Sequence, residues 1–253
     1  MPIDTALATL AEETIWQGCA AYGPAAGVEV GDRWYLTGFD YPDLNGAFPV
    51  DEAVDVAAAL APFQQRRVPM VWHLGPRAPD RLVPRLRAAG CVYDHQEPLM
   101  VAELDRPAPP ARPVPGLRIV EAVGAERLAD FARVWSGHTD EAVLAGLVRL
   151  RAAAGPAFTH LIGLLDGVPV ACAAAFHGPD ASEVQHVVTV RPARRRGVGT
   201  GLTVRLLQLI RERGAGTAVL TASPYGERLY QRLGFRPVGA IRRYRWRPGS
   251  RPW

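Results

Sequence analysis

Along this chain of 253 residues, apolar side chains recur with two different periods. Spacing of three to four residues marks helices, and runs or alternations of β-branched residues mark strands. The clearest junction of the two begins at Val187-Val188-Thr189-Val190, a run with strong strand preference. Arginines and glycines follow, and then Leu202, Leu206, Leu209 and Ile210 fall at i, i+4, i+7 and i+8 on one helix face. Arg205, Gln208 and Glu212 take the other face, and Gly214 stands where a C′ glycine ends a helix. The unit reads strand, glycine turn, helix.

The same reading along the chain predicts a helix over residues 1–20, a strand at Trp34 to Thr37 and a turn-rich stretch from Gly38 to Gly46. A helix follows over Asp51 to Phe63, then a strand over Val68 to Leu74, a helix over Asp80 to Ala89 and a strand over Glu97 to Leu104. Asp105 to Gly116 holds five prolines in twelve residues and can be neither helix nor central strand. It divides the chain into a first domain over 1–106, a stiff linker over 107–116 and a second domain over 117–253. The second domain reads as a strand at Leu117 to Val120, helices at Ala125 to Trp135 and Asp140 to Ala154, and a hairpin of Phe158 to Leu165 and Val168 to His177. Asp166-Gly167 is the hairpin turn. Glu183 to Val190 and Thr217 to Ala222 are the next strands, on either side of the glycine unit.

At the junction, Arg194, Gly197 and Gly199 form the pattern Arg-x-x-Gly-x-Gly. Backbone N–H groups at a helix start, with the helix dipole behind them, favour an anion. Gly197, Gly199 and Gly201 let a phosphate come close, and Arg194, Arg195 and Arg196 add positive charge. A dinucleotide fold does not fit: the third glycine is one residue early, and Thr221 stands near the place of the required acid. A P-loop needs a lysine, and the chain has none. The pattern closely resembles the acyl-CoA-binding loop of the GNAT superfamily of N-acyltransferases. A second block strengthens the resemblance. Ser223 to Phe235 is similar to the family's late motif, Asn-x-x-Ala-x-x-Leu-Tyr-x-x-x-Gly-Phe, with Leu229, Tyr230, Gly234 and Phe235 matching. Ser223 replaces the usual Asn and Gly226 the usual Ala, and Ser223 with Pro224 suits a helix start. The resemblance covers roughly residues 117 to 247, and the order β-α-α-β-β-β-α-β-α-β is the family's.

Charge is unevenly placed. The formal net charge is +4, all 29 basic residues being arginine. Residues 1–116 hold nine arginines against fifteen acids, and residues 117–253 twenty against ten. A basic second half suits a polyphosphate such as coenzyme A. No nucleic-acid motif accompanies Arg242, Arg243, Arg245, Arg247 and Arg251, so no nucleic-acid partner is expected. Cys19, Cys91 and Cys172 are dispersed, which points to neither disulfides nor metal. No apolar run approaches membrane-spanning length and no signal region opens the chain, so a cytoplasmic monomer or homodimer without a membrane partner is expected.

The resemblance implies an α/β fold with a mixed sheet, the GNAT acyltransferase fold, in the second half. It implies acetyl-CoA as cosubstrate, no metal, and an amine acceptor. By resemblance the pantetheine arm pairs with the backbone of Val188, Thr189 and Val190, and the pyrophosphate lies over Arg194, Arg195, Arg196, Gly197, Val198, Gly199 and Thr200, near Ser223. Tyr230 is the implied acid for the departing thiolate, the alternative being an aromatic packed under its helix. Glu183 falls where histone acetyltransferases of the superfamily carry their base; the alternative is a solvated strand-end carboxylate. Alternation places Glu183, Gln185, Val187 and Thr189 on one strand face, and His186 opposite unless a bulge re-aims it. The acidic first half favours a cationic small amine over an acidic one. That half echoes the second, with Leu86 where Tyr230 stands but no glycine loop. It resembles accessory halves of some actinobacterial two-domain acetyltransferases, and is either a decayed GNAT-like copy or an unrelated α/β domain.

Overall fold

The computed structural model describes residues 4–250. Its first half contains α1 (Thr5–Ala20), β1 (Glu29–Gly31), β2 (Trp34–Leu36), β3 (Asn45–Ala47), α2 (Val56–Arg66), β4 (Met70–Leu74), α3 (Leu82–Ala88) and β5 (Val92–Glu103). The second contains β6 (Leu117–Glu121), α4 (Gly124–Ser136), α5 (Glu141–Ala153), β7 (Phe158–Leu165), β8 (Val168–His177) and β9 (Ser182–Thr189). It continues through α6 (Val198–Glu212), β10 (Thr217–Thr221), α7 (Glu227–Arg232) and β11 (Arg236–Trp246).

Local chemistry sets most of these limits. Asp4 accepts from Leu7 N at 3.2 Å and starts α1; residues 1–3 of the expected helix lie outside the described residues. The helix expected from Asp51 starts only at Val56, because Asp55 Oδ1 accepts from Ala57 N at 2.9 Å and Ala58 N at 3.1 Å. The strand expected from Glu97 begins already at Val92, since β11 pairs with it from that residue on. Strand β3 overlaps the end of the stretch read as turns. It is held by β2 on one side and β4 on the other, and a Cβ on Gly46 would meet Val71 O at 2.8 Å.

Among the described residues the eleven strands form one mixed sheet, in the order β1-β2-β3-β4-β11-β5-β10-β9-β8-β7-β6. Each half has one parallel pair: β3 with β4 at Gly46–Val71 and Ala47–Trp72, and β9 with β10 at Ser182–Ala218 and Glu183–Val219. The neighbour of β4 is β11, the neighbour of β10 is β5, and β5 pairs with β11 at the centre. Each half therefore lends its last strand to the other. The sheet is continuous across the proline-rich stretch 107–116, which carries no helix or strand.

The charge asymmetry has a structural use. Arginines of β11 reach first-half acids: Arg242 to Asp80 at 2.6 Å, Arg245 to Asp94 at 2.6 Å, Arg236 to Glu103 at 3.6 Å, and Arg243 to both Asp43 and Glu97. On one sheet face Leu202, Leu206 and Ile210 of α6 cluster with Ala171, Ala173, Ala175 and Val184. On the opposite face Phe131 of α4 packs over Ile162, Cys172 and Ala174. The small residues of β8 let both helices approach closely.

Candidate functional site

Strands β9 and β10 pair at only two positions and then part. Beyond Glu183, β9 runs on to Thr189 with β8 alone beside it. Its other edge therefore carries backbone groups that an extended ligand can pair with. Val188, Thr189 and Val190, expected to do so, sit half-buried on this stretch.

The glycine unit follows. Arg191–Ala193 forms a short turn, and Gly197, with φ +87°, is the N-cap of α6 without any side-chain cap. Arg195 also has positive φ, at +61°. Arg194, Arg195 and Arg196 are exposed, and Arg194 Nε donates to Thr189 O at 2.9 Å, which ties the loop to the strand end. Val198 is buried, leaving only its backbone for a ligand, and Thr200 is half-buried in the first turn. Gly199 and Gly201 lie within the helix rather than in the turn. A Cβ at Gly199 would sit 3.3 Å from Thr189 Oγ1, and one at Gly201 would sit 3.5 Å from Leu117. Gly197 thus frees the backbone, while the other two let α6 sit close to β9 and β6.

After β10 the chain makes a tight turn in which Ser223 O accepts from Gly226 N at 2.9 Å and Glu227 N at 3.1 Å. This turn delays α7 to Glu227, with Gly226 as N-cap and no side-chain cap, so Ser223 and Pro224 do not start the helix as expected. Tyr230 is buried and packs edge-on to Phe235 at 5.8 Å. Gly226 explains the departure from the family's Ala: a Cβ there would lie 2.9 Å from Tyr230 Cε2. Burial raises the Tyr230 pKa to about 12, so the phenol keeps its proton.

The bulge on β9 decides which side chains meet. Gln185 pairs with Ala174 and Val188 with Cys172, so His186 and Val187 together oppose Ala173, and His186 has φ +55°. The expected alternation therefore ends at Gln185. Val187 joins the α6 face, while His186 turns to the α4 side, 4.9 Å from the Trp135 ring. Glu183 is not a solvated strand end. It is 8% exposed beneath α1, where a Cβ on Gly18 would collide with its Oε2, and burial raises its pKa well above the usual carboxylate range.

Sequence reasoning passed over Arg151, a polar position on α5 that is buried against Phe131, Trp135 and His186. No periodicity marks it, since an arginine in a helix reads as a solvated one. His160 and His177, read as structural or exposed, are inward and neutral. Burial lowers them to about 3 and about 4, with the Arg151 charge adding to the effect at His160 and Arg213 at His177. His177 Nε2 lies 2.8 Å from the Thr159 hydroxyl. Among the described residues no group of His, Cys, Asp and Glu could hold a metal, and no helix is long and apolar enough to cross a membrane.

Residues 121–235 match the model of the Acetyltransferase (GNAT) family. No curated protein matches the sequence. Among solved structures the chain is similar to a GCN5-related N-acetyltransferase from Kribbella flavida, at 22% identity and a TM-score of 0.67, over 96% of both chains. It is also similar to a tandem GNAT protein from the clavulanic acid biosynthesis pathway, at 16% identity and a TM-score of 0.58, over 76% of this chain and 68% of that one.

Proposed function

Residues 121–235 form a domain of the GNAT acetyltransferase family, and from that premise we propose that the chain transfers an acetyl group from acetyl-CoA directly to a primary amine. The observation that carries this reading is the parting of β9 and β10 beside an uncapped start of α6. These residues fit the cosubstrate. Gly197 and the first amides of α6 offer donors with no side-chain acceptor, and Arg194, Arg195 and Arg196 add charge for a pyrophosphate. Val188, Thr189 and Val190 offer a strand edge for an extended arm, and Ser223 follows two residues after the end of β10. When bound, acetyl-CoA supplies the thioester whose acetyl group moves.

Tyr230 holds a proton on its hydroxyl at every working pH and is the group proposed to give it up as a thiolate forms. A free thiol has a pKa of about 8.5, so this transfer is uphill unless the phenolate is stabilised. Glu183 stands where the strands part and is the proposed proton acceptor for the amine. Burial favours its protonated form, so this role requires that α1 open or that a nearby cation stabilise the carboxylate.

Thiol release from acetyl-CoA, measured on the full chain over a panel of amines, tests the proposal. Amine-dependent release is expected. Saturable CoA binding without turnover on any amine would instead favour a non-catalytic acyl-CoA-binding protein. One observation favours that second reading: α1 of the first half covers Glu183, the proposed proton acceptor. In this proposal residues 1–106 serve as an accessory domain, 107–116 as linker and 117–253 as the catalytic domain.

A further inference from the structure

On α5, Val143, Leu147 and Arg151 fall at i, i+4 and i+8 and share one helix face. Arg151 is 2% exposed. Its guanidinium carbon lies 4.4 Å from the Phe131 ring centre and 4.7 Å from that of Trp135, and Nη1 is 3.5 Å from His186 Nδ1. Nε and Nη2 have no hydrogen-bond partner. Burial works against its charge first; the Tyr22 phenol, close enough to share a hydrogen bond with it, and the Cys172 thiol are both uncharged, and among the described residues no carboxylate pairs with it. A guanidinium cannot shed its charge, and aromatic faces only partly replace an anion.

The sheet beneath completes a site. His160 pairs with Ala174, and Ala174 with Gln185, so the three side chains form one row across β7, β8 and β9. Between the two longer polar groups the alanine is covered by Phe131, whose ring stands edge-on to His160 at 5.0 Å. His160 Nε2 and Gln185 Nε2 are both buried without partners. His186 and His160 are neutral, so an Arg151 N–H that donates to His186 Nδ1 leaves His186 Nε2–H as a further donor. The buried unpartnered atoms of Arg151 and Gln185 are donors, and the His186 ring adds its Nε2–H beside them, which is the inventory for an anion. Glu183 stands two residues before Gln185 on the same strand face, roughly 7 Å away. Trp135, which covers Arg151, separates it from a cavity of about 80 Å³ walled by Val143 and Leu147 and by first-half Phe39, Asp40 and Tyr41.

We infer that Arg151, with Gln185 and His186, binds a carboxylate of the acceptor, which is therefore an amino acid or another small amine bearing an acidic group. The inference rests on the acetyltransferase reading for the amine and stands on its own for the carboxylate. It replaces the purely cationic amine favoured by the acidic first half with one that carries both charges.

The test is calorimetric titration of the full chain, saturated with CoA, using α-, β- and γ-amino acids, each paired with its carboxamide. At least one acid should bind about tenfold tighter than its amide, and the ratio should fall to near one in Arg151→Met and be partly kept in Arg151→Lys. Removal of an unpaired buried charge at similar volume should also raise the melting temperature of R151M. Equal affinity within every pair, or a preference that survives R151M, overturns the inference. Should R151M not fold, the ratios in the parent and in Arg151→Lys decide. Acid-selective binding without acetyl transfer upholds the carboxylate site and sinks the proposed activity. Acetylation indifferent to the carboxylate does the reverse.

Discussion

The parallel pairs β3–β4 and β9–β10 each hold two residue pairs, but the chain treats their open ends differently. In the second half β9 continues from Glu183 to Thr189 and leaves an edge free. In the first half β3 stops at Ala47, and Phe48 lies flat on His73 of β4, with ring centres 4.3 Å apart and planes at 4°. Beside that stack, α1 inserts Glu12 and Glu13, held by Arg77 at 3.3 Å and 2.8 Å, with Arg33 on Glu13 at 2.8 Å. The helix starts differ in the same sense. Asp55 occupies the first amides of α2, whereas α6 has no side-chain cap. Leu86 stands where the other half has Tyr230. One sheet geometry thus yields a cleft or a filled core, according to how far the strand runs past its pairing and whether the helix donors are already taken.

The largest expected effect belongs to Tyr230, whose first-half counterpart Leu86 carries no acidic proton. Tyr230→Phe keeps the ring packed on Phe235 and removes the proposed acid. Turnover should fall ~10²–10⁴-fold in kcat, with folding and CoA affinity retained. A variant within about threefold of the parent would make Tyr230 a packing residue, as Leu86 is. Because burial lifts this phenol to about 12, any alkaline limb at lower pH belongs to another group.

Phe48→Ala tests the filled side. It should cost about 3–5 kcal/mol in chemical denaturation, the usual range for an emptied aromatic site. CoA stoichiometry should stay at one per chain, because Asp55 still occupies the α2 amides and no glycine loop exists there. A second equivalent bound by the variant would mean that the plug alone separates the two halves.

Arg194→Ala tests the open side. Loss of one charge-assisted contact should weaken CoA binding by about 1.5–3 kcal/mol, read by calorimetry, with less effect on maximal turnover. Unchanged affinity would show that the loop after β9 is no more a cofactor site than the loop after β3.

The most gradual effect is a pH dependence. Burial raises the Glu183 pKa above its unfolded value, so between the two the folded state holds a proton that the unfolded chain has lost. Stability from this group is therefore full below the unfolded pKa and declines as pH rises, by up to about 1.4 kcal/mol per pH unit. Glu183→Gln removes the decline, so its melting temperature should gain on the parent's from pH 5 to pH 8. A constant gap would mean that Glu183 is ionised in the fold and paired with something other than α1.

The sequence by itself determined what depends on neighbours along the chain. The strand, glycine turn and helix at 187–214 were legible because side-chain period and backbone freedom are local. Gly197 and Gly214 take positive φ as the turn and the helix end require, and the Asp166-Gly167 hairpin turn does likewise. The late motif was legible in the same way, except that Ser223 closes a turn with its carbonyl rather than capping a helix with its hydroxyl. Only the tertiary structure decided the rest. Strand β3 forms where Asn45, Gly46 and Ala47 have little strand preference, because β2 and β4 hold it from both sides. The exchange of β5 and β11 joins residues more than a hundred positions apart, and no local pattern encodes a partner so distant. A single extra residue at His186 reverses the faces that follow it, since the strand period is two. The same holds for Glu183 beneath Gly18 and for Arg151 between Phe131 and Trp135: the sequence names an acid and a base, and packing alone decides that both lie out of water.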